Sequence, residues 1–133
     1  MSTENMETLR TVMEAFNSGD MTRILALTHP DFEGEVPPEL SAEPDNYRGH
    51  DGIRRYFQSF EDAMDEIRFH PERLWDTDEY VVVAARLTAK GRQTAIPVEQ
   101  HFALLWTFRE GKALRVRAYA SPAEALAAIG LAA

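Results

Sequence analysis

Hydrophobic residues recur at helical spacing in two stretches of the first half of the chain. The first stretch ends at Asn17-Ser18-Gly19, because glycine readily adopts the left-handed conformation that closes a helix. The second starts near Gly49-His50-Asp51. Between them, Asp20 caps a short amphipathic turn that His29-Pro30 stops. The apolar faces comprise Met6, Leu9, Val12, Met13 and Phe16 in the first helix and Ile53, Tyr56, Phe57, Phe60 and Met64 in the second.

After the second helix the hydrophobic period falls to two, which predicts β-strands. Residues 67–75, 81–87, 100–108 and 114–120 are expected to form them, with a further short strand over 32–36. Glu110-Gly111-Lys112 is typical of a tight hairpin turn. On the last two strands, alternation places Gln100, Phe102, Leu104, Trp106, Phe108, Leu114, Val116, Ala118 and Ala120 on the inner face and Arg115, Arg117 and Tyr119 on the outer face.

The order of elements, helices first and consecutive strands afterwards, is typical of the α+β class. The stretch Pro37–Asn46 is rich in proline, glutamate and serine and is expected to form a surface loop. Ser121-Pro122-Ala123-Glu124 matches a capping box ahead of a short closing helix that Gly130 ends. The sequence contains no internal repeat, so residues 1–133 are interpreted as a single domain.

Composition and charge narrow the functional classes. With 44% hydrophobic and 27% charged residues, the chain has the balance of a folded domain. A formal net charge of −8 repels a phosphate-rich partner, which argues against nucleic-acid binding. No apolar run approaches the ~20 residues of a membrane span, and the first residues lack the basic and apolar parts of a secretory signal. We therefore expect a cytoplasmic protein without a membrane partner.

No metal and no cofactor are expected. The chain has no cysteine, which removes disulfides, thiolate nucleophiles and thiolate metal sites together. The four histidines, His29, His50, His70 and His101, are not paired at the spacing typical of zinc sites. His29 is interpreted as a residue at the C-terminal end of a helix, where the helix dipole favours it.

Several short segments resemble those of a known family in sequence and in order. They are Ala15-Phe16-Asn17-Ser18-Gly19-Asp20, His29-Pro30-Asp31, Tyr47-Arg48-Gly49-His50-Asp51-Gly52-Ile53, Trp106-Thr107-Phe108-Arg109-Glu110-Gly111-Lys112 and Tyr119-Ala120-Ser121-Pro122-Ala123-Glu124-Ala125-Leu126. Together they resemble the SnoaL-like branch of the nuclear-transport-factor-2-like superfamily across nearly the whole chain. The resemblance implies a cone, in which a strongly bent antiparallel sheet wraps around N-terminal helices and a pocket opens between sheet and helices.

The catalytic residues of such relatives have no counterpart here. In this resemblance, the tyrosine, the base aspartate and the protonated aspartic acid of steroid isomerases correspond to Val12, Val36 and Gln100. The aspartate and the histidine of polyketide cyclases correspond to Ala118 and Val116. The fold hosts enzymes of several classes as well as non-enzymatic binders. Whether the chain is an enzyme therefore stays open.

The inner-facing residues are mostly apolar and aromatic, and Gln100 is the polar exception. They either fill the core or, in part, line a pocket for a small apolar, aromatic or polycyclic molecule. A buried glutamine needs hydrogen-bond partners, so Gln100 points to such a pocket. The candidate lining residues are Phe16, Tyr56, Phe57, Phe60, Gln100, Phe102, Leu104, Trp106 and Val116. The alternatives are an isomerase-like or cyclase-like enzyme with non-standard catalytic residues and a non-catalytic accessory module.

The outer sheet face mixes apolar residues with charges of both signs. The resemblance implies a homodimer through this face, and such a contact would bury ~800 Å² per partner. The residues expected there are Arg86, Glu99, His101, Leu105, Arg115, Arg117 and Tyr119.

Overall fold

Helices lie on both faces of a single sheet in the computed structural model, which describes residues 2–36, 45–77 and 80–130. None of the helices in these ranges is long and apolar enough to cross a membrane. The elements in chain order are α1 (Ser2–Ser18), α2 (Met21–Ala26), β1 (Thr28–Val36), β2 (Asp45–Arg48), α3 (Gly49–Ala63), β3 (Met64–Asp76), β4 (Tyr80–Gly91), β5 (Pro97–Arg109), β6 (Lys112–Tyr119) and α4 (Pro122–Ala128).

The sheet has six strands in the order β2-β1-β6-β5-β4-β3, and it is bent without closing into a barrel. Strands β3 to β6 form an antiparallel meander. Strand β1, however, pairs parallel with β6. The expected antiparallel sheet is therefore a mixed one, because the chain enters β1 from α2 alongside the start of β6, where the Ala113 N–H donates to the Leu27 carbonyl over 2.9 Å. The α+β class itself is confirmed.

The concave face of the sheet packs against α1, α2 and α3. Val81, Trp106 and Val116 lie directly opposite one another on adjacent strands and belong to the main core. Leu9 and Val12 of α1 reach the same core and are almost fully buried. Burial of such apolar area is the dominant favourable contribution to folding, which fixes the helices on this side.

The short helix α4 packs against the opposite, convex face. Its Leu126 forms a second, smaller cluster with Val82 and Ala103, against which Leu105 and Tyr119 are partly buried. The capping box predicted at the start of α4 is confirmed, since the Glu124 N–H donates to Ser121 Oγ and Glu124 Oε2 accepts from the Ala120 N–H. Part of the outer sheet face is therefore covered within the chain.

Two predicted strand boundaries change in the structure. Strand β1 begins at Thr28, so His29 lies in a strand and its Nδ1 accepts from the Asp31 N–H; the interpretation of His29 as a helix-end residue is wrong. Strand β2 begins at Asp45, inside the predicted loop Pro37–Asn46, and extends beyond it to Arg48; residues 37–44 of that loop lie outside the described residues.

The inward positions of β6 also differ at its start. A register shift between Thr107 and Phe108 puts Ala113 rather than Leu114 in the core. Farther along, Val116 and Ala118 are buried as predicted. At Glu110 and Gly111 both φ angles are positive, which is the geometry of the tight hairpin turn that the sequence predicts.

Candidate functional site

The inward-facing residues of β5 lie along the concave face, from Gln100 near one end of the strand to the buried Trp106. Directly opposed residues of antiparallel strands share a face, and Gln100 opposes Leu87, which is 0% exposed in the main core. This register places Gln100 on the concave face. Its side chain is nonetheless exposed, so the expectation of a buried amide is wrong. The concave face is open to solvent at this end of β5.

A continuous chain of aromatic rings crosses the concave side. Neighbouring ring centroids are 4.8–5.6 Å apart, and most pairs meet edge to face or tilted, which is the favourable aromatic arrangement. In order of contact the rings are Tyr47, Tyr56, Phe57, Phe16, Phe69 and Phe102. The chain links β2, α3 and α1 to strands β3 and β5.

A close approach of α3 to β2 positions one end of this chain. A side-chain carbon at Gly52 would lie 2.7 Å from the Tyr47 carbonyl carbon, so only glycine fits there without a backbone shift. The contact sets the Tyr47 ring 5.1 Å from that of Tyr56, and the Arg55 guanidinium lies over the Tyr47 ring at 5.2 Å. Burial, and secondarily the neighbouring Tyr47, raises the pKa of Tyr56. The Tyr56 phenol is consequently neutral over the physiological pH range.

The nine candidate pocket residues fall into distinct groups. Four aromatic residues are half-buried on the concave side, Phe16, Tyr56, Phe57 and Phe102. Leu104, Trp106 and Val116 are buried in the main core, and Gln100 is exposed at the open end. The side chain of Phe60 lies outside the described residues. The half-buried rings are thus the part of the candidate set that remains accessible.

The indole nitrogen of Trp106 lacks a hydrogen-bond partner. Trp106 is 6% exposed, and its Nε1 is the buried side-chain nitrogen or oxygen without a partner among the described residues. An indole N–H is a donor only, and a buried donor is costly to leave unpaired. A water molecule or a ligand atom on the concave side would satisfy it.

The positions that correspond to catalytic residues of relatives are part of the core. Val12 and Ala118 are 3% and 6% exposed and pack within the main apolar cluster. Neither side chain can accept or donate a proton. The side chain of Val36 lies outside the described residues.

The histidines have local structural partners. His50 Nε2 donates to the Thr28 carbonyl over 2.9 Å and ties the start of α3 to β1, since a carbonyl can only accept. His70 Nε2 lies 2.9 Å from Thr88 Oγ1. His101 is on the convex side, 3.0 Å from Glu99 Oε1. Over the described ranges, no group of three or more His, Cys, Asp or Glu residues is placed to hold a metal ion.

A groove of about 550 Å³ lies on the convex face between the end of α4 and β1. Cross-strand ion pairs border it, with Arg115 Nε 3.7 Å from Glu33 Oε2 and Arg117 Nη1 3.7 Å from Glu35 Oε2. Such exposed pairs contribute little stability on their own. The groove is therefore a charged surface feature on the side opposite the aromatic chain.

Two contributions to the site escape prediction from the sequence. Phe69 joins the aromatic rings of α1 to Phe102, and its alternation in β3 predicts a strand position without identifying that contact. Tyr47 lies in β2, directly after the predicted loop Pro37–Asn46. The occurrence of Tyr47 two residues before Gly49, where α3 starts, is the signal that could have placed it beside α3.

Solved structures with the same fold confirm the cone. A nuclear-transport-factor-2-like protein of unknown function from Burkholderia pseudomallei is 24% identical, with a TM-score of 0.79 over 96% of this chain and 98% of that chain. TerC, crystallised with polyporic acid, is 24% identical, with a TM-score of 0.78 over 86% and 89%. A protein with a ketosteroid isomerase-like fold from Catenulispora acidiphila, in complex with trimethylamine, is 14% identical, with a TM-score of 0.75 over 94% and 93%.

Sequence comparison identifies the family. No functionally curated protein matches the chain. The family model of the SnoaL-like domain, in contrast, matches residues 9–116, which include α1 to α3 and the strands through most of β6. The chain belongs to the SnoaL-like domain family.

Proposed function

We propose that the protein binds a small apolar or aromatic molecule, mono- or polycyclic, on the concave side of its sheet. The observation that carries this proposal is the set of four half-buried aromatic residues, Phe16, Tyr56, Phe57 and Phe102. Aromatic rings that are packed together yet partly open to solvent at a concave surface are typical of small-molecule sites.

Charge and hydrogen bonding on this side also favour an apolar ligand. Tyr56 is neutral, and the adjoining core residues Leu104 and Val116 are apolar. Although the Arg55 guanidinium lies over the Tyr47 ring at one end of the aromatic chain, a charged group placed against Leu104 and Val116 would lose its hydration in apolar surroundings. The proposal concerns binding rather than turnover, because Val12 and Ala118 supply no proton-transfer group. TerC, which was crystallised with polyporic acid, has the same fold and supports the proposal that the site takes a small organic molecule.

Two variants, one on each face of the sheet, test this proposal. Fluorene and fluorenone, titrated by calorimetry, are expected to bind the wild-type protein. Phe102→Trp, which adds bulk on the concave side, is expected to abolish binding. Thr107→Trp, which fills the convex groove, is the matched control and is expected to leave binding unchanged. Loss of binding in Thr107→Trp with retention in Phe102→Trp would contradict the proposal.

We also infer that the convex face forms a homodimer. On the part of this face that α4 does not cover, Glu33 and Glu35 of β1 form a row beside Arg115 and Arg117 of β6. In a two-fold contact the same surface serves both copies, so each carboxylate row can meet the partner's guanidinium row. Leu105 and Tyr119, expected in the contact from the sequence, are partly covered by α4, which moves the proposed contact toward β1 and β6.

A further inference from the structure

We propose that the ligand carries a neutral carbonyl oxygen that accepts a hydrogen bond from Trp106 Nε1. This inference rests on the proposed function, since it concerns the same concave side of the sheet. It assigns a polar contact to a site that is otherwise apolar. It also narrows the ligand class from aromatic hydrocarbons to aromatic ketones and quinones.

The unpaired indole nitrogen is the first support. Trp106 is 6% exposed, and among the described residues Nε1 has no hydrogen-bond partner. The register of β5 directs the side chain to the concave side, because the opposing residues Val81 and Val116 both lie in the main core. Buried polar groups in native proteins are nearly always paired, so this donor is available to an acceptor that the described residues do not supply.

The surroundings select the kind of acceptor. An indole N–H donates and cannot accept, so it discriminates in favour of a carbonyl over a group that only donates. Trp106 belongs to the main apolar cluster, and Phe108 stacks on its ring with the two ring centroids 6.4 Å apart. A carboxylate would carry a full charge into this apolar cluster. A neutral ketone or quinone oxygen avoids that cost.

The position of Trp106 along β5 constrains the ligand further. Phe102 and Trp106 lie on the same face of β5, about 13 Å apart at a rise of about 3.3 Å per residue. Phe102 is half-buried, and Trp106 is buried in the main core. A ligand that reaches Trp106 from the half-buried rings therefore points its carbonyl oxygen toward the buried end of this face.

Matched pairs of probes separate the hydrogen bond from apolar contact. Indanone and indane, tetralone and tetralin, and fluorenone and fluorene differ in each pair by a carbonyl that replaces a methylene group. For the pair that binds best, we expect the ketone to bind about tenfold more tightly, which corresponds to about 1.4 kcal/mol. In Trp106→Phe the two members are expected to bind equally. Trp75→Phe on the convex side is the matched control and is expected to keep the preference.

A direct spectroscopic signal does not depend on a core variant. The chain has two tryptophans, so a ¹⁵N-labelled sample gives two indole N–H resonances, and Trp75→Phe assigns them. Adding the ketone is expected to move the Trp106 indole proton downfield, and adding the hydrocarbon is not.

The outcomes distinguish this inference from the proposed function. Equal binding of ketone and hydrocarbon, with the Trp106 resonance unmoved, overturns the inference and leaves the proposed function standing. Such a result would arise if an internal water already pairs with Nε1. Failure of every probe to bind the wild-type protein overturns both.

Discussion

Asn17 of α1 pairs in both directions with the backbone of Phe69 in β3. Asn17 Nδ2 donates to the Phe69 carbonyl over 3.0 Å, and the Phe69 N–H donates to Asn17 Oδ1 over 2.7 Å. Strand β3 is at the edge of the sheet, and among the described strands only β4 pairs with it. The side-chain amide therefore substitutes for a neighbouring strand and fixes the end of α1, with Phe16, against the concave face.

Replacing Asn17 should release this contact. We expect Asn17→Ala to lower the free energy of unfolding by about 1–3 kcal/mol, because both Phe69 backbone groups lose their partner. Ser18→Ala, at a neighbouring exposed position, is the control and should change it by no more than about 0.5 kcal/mol. Urea denaturation measures both values. Equal effects of the two substitutions would show that the paired hydrogen bonds do not hold α1 in place.

Tyr56 should make the protein sensitive to alkaline pH. Its pKa in the folded state is raised by burial above the value of about 10 for an exposed tyrosine. The folded state then holds this proton more tightly than the unfolded state does. The stabilisation that the protonated Tyr56 phenol gives to the folded state is complete below pH about 10. It is lost as the pH rises further toward the folded-state pKa.

Tyr56→Phe removes this titration and isolates its effect. Urea midpoints measured from pH 8 to 11 should fall more steeply above pH about 10 for the wild-type protein than for Tyr56→Phe. Tyr119→Phe on the convex side is a matched control and should follow the wild-type profile. Parallel profiles for the wild-type protein and Tyr56→Phe would contradict the assignment.

The proposed homodimer should be weakened by a charge reversal on the open convex face. We expect light scattering at micromolar concentration to give the mass of two chains for the wild-type protein and of one chain for Arg117→Glu. Arg54→Glu introduces the same charge change on α3 and should stay dimeric. A wild-type protein that is monomeric under these conditions would refute the dimer.

Gln100 and Leu87 oppose each other across β4 and β5 but should differ sharply in their effect on stability. Gln100 is exposed, so Gln100→Leu should change the free energy of unfolding by no more than about 0.5 kcal/mol. Leu87 is 0% exposed, and Leu87→Ala should cost about 2–5 kcal/mol. Thermal or urea unfolding of the two variants measures the contrast. A large loss of stability in Gln100→Leu would mean that the concave face is closed at this end.

Periodicity was sufficient to predict the elements that are built from local signals. The helix containing Leu9 and Val12, the strand containing Trp106, the hairpin at Glu110 and the capping box at Ser121 all follow from side-chain spacing or turn chemistry. These signals act within a few residues along the chain, so they can be recognised without knowledge of the rest of the fold.

Features that depend on distant parts of the chain could not be predicted in this way. The parallel pairing of β1 with β6 joins segments far apart in sequence, and a strand pattern does not specify its partner. The register shift beside Phe108 exchanges Leu114 for Ala113 in the core. Gln100 follows the inner alternation, yet its exposure depends on where the helices end over the sheet. The candidate site was thus predicted as a set of residues, and the structure separates its accessible rings from its core.

The crystal structure of the complex with fluorenone is the most direct test of a ligand site on the concave side. We expect electron density for the ligand in contact with Phe57 and Phe102, with the ketone oxygen within hydrogen-bond distance of Trp106 Nε1. Density confined to the convex groove beside Thr107, or a concave side whose rings close on one another and leave no ligand density, would contradict this expectation.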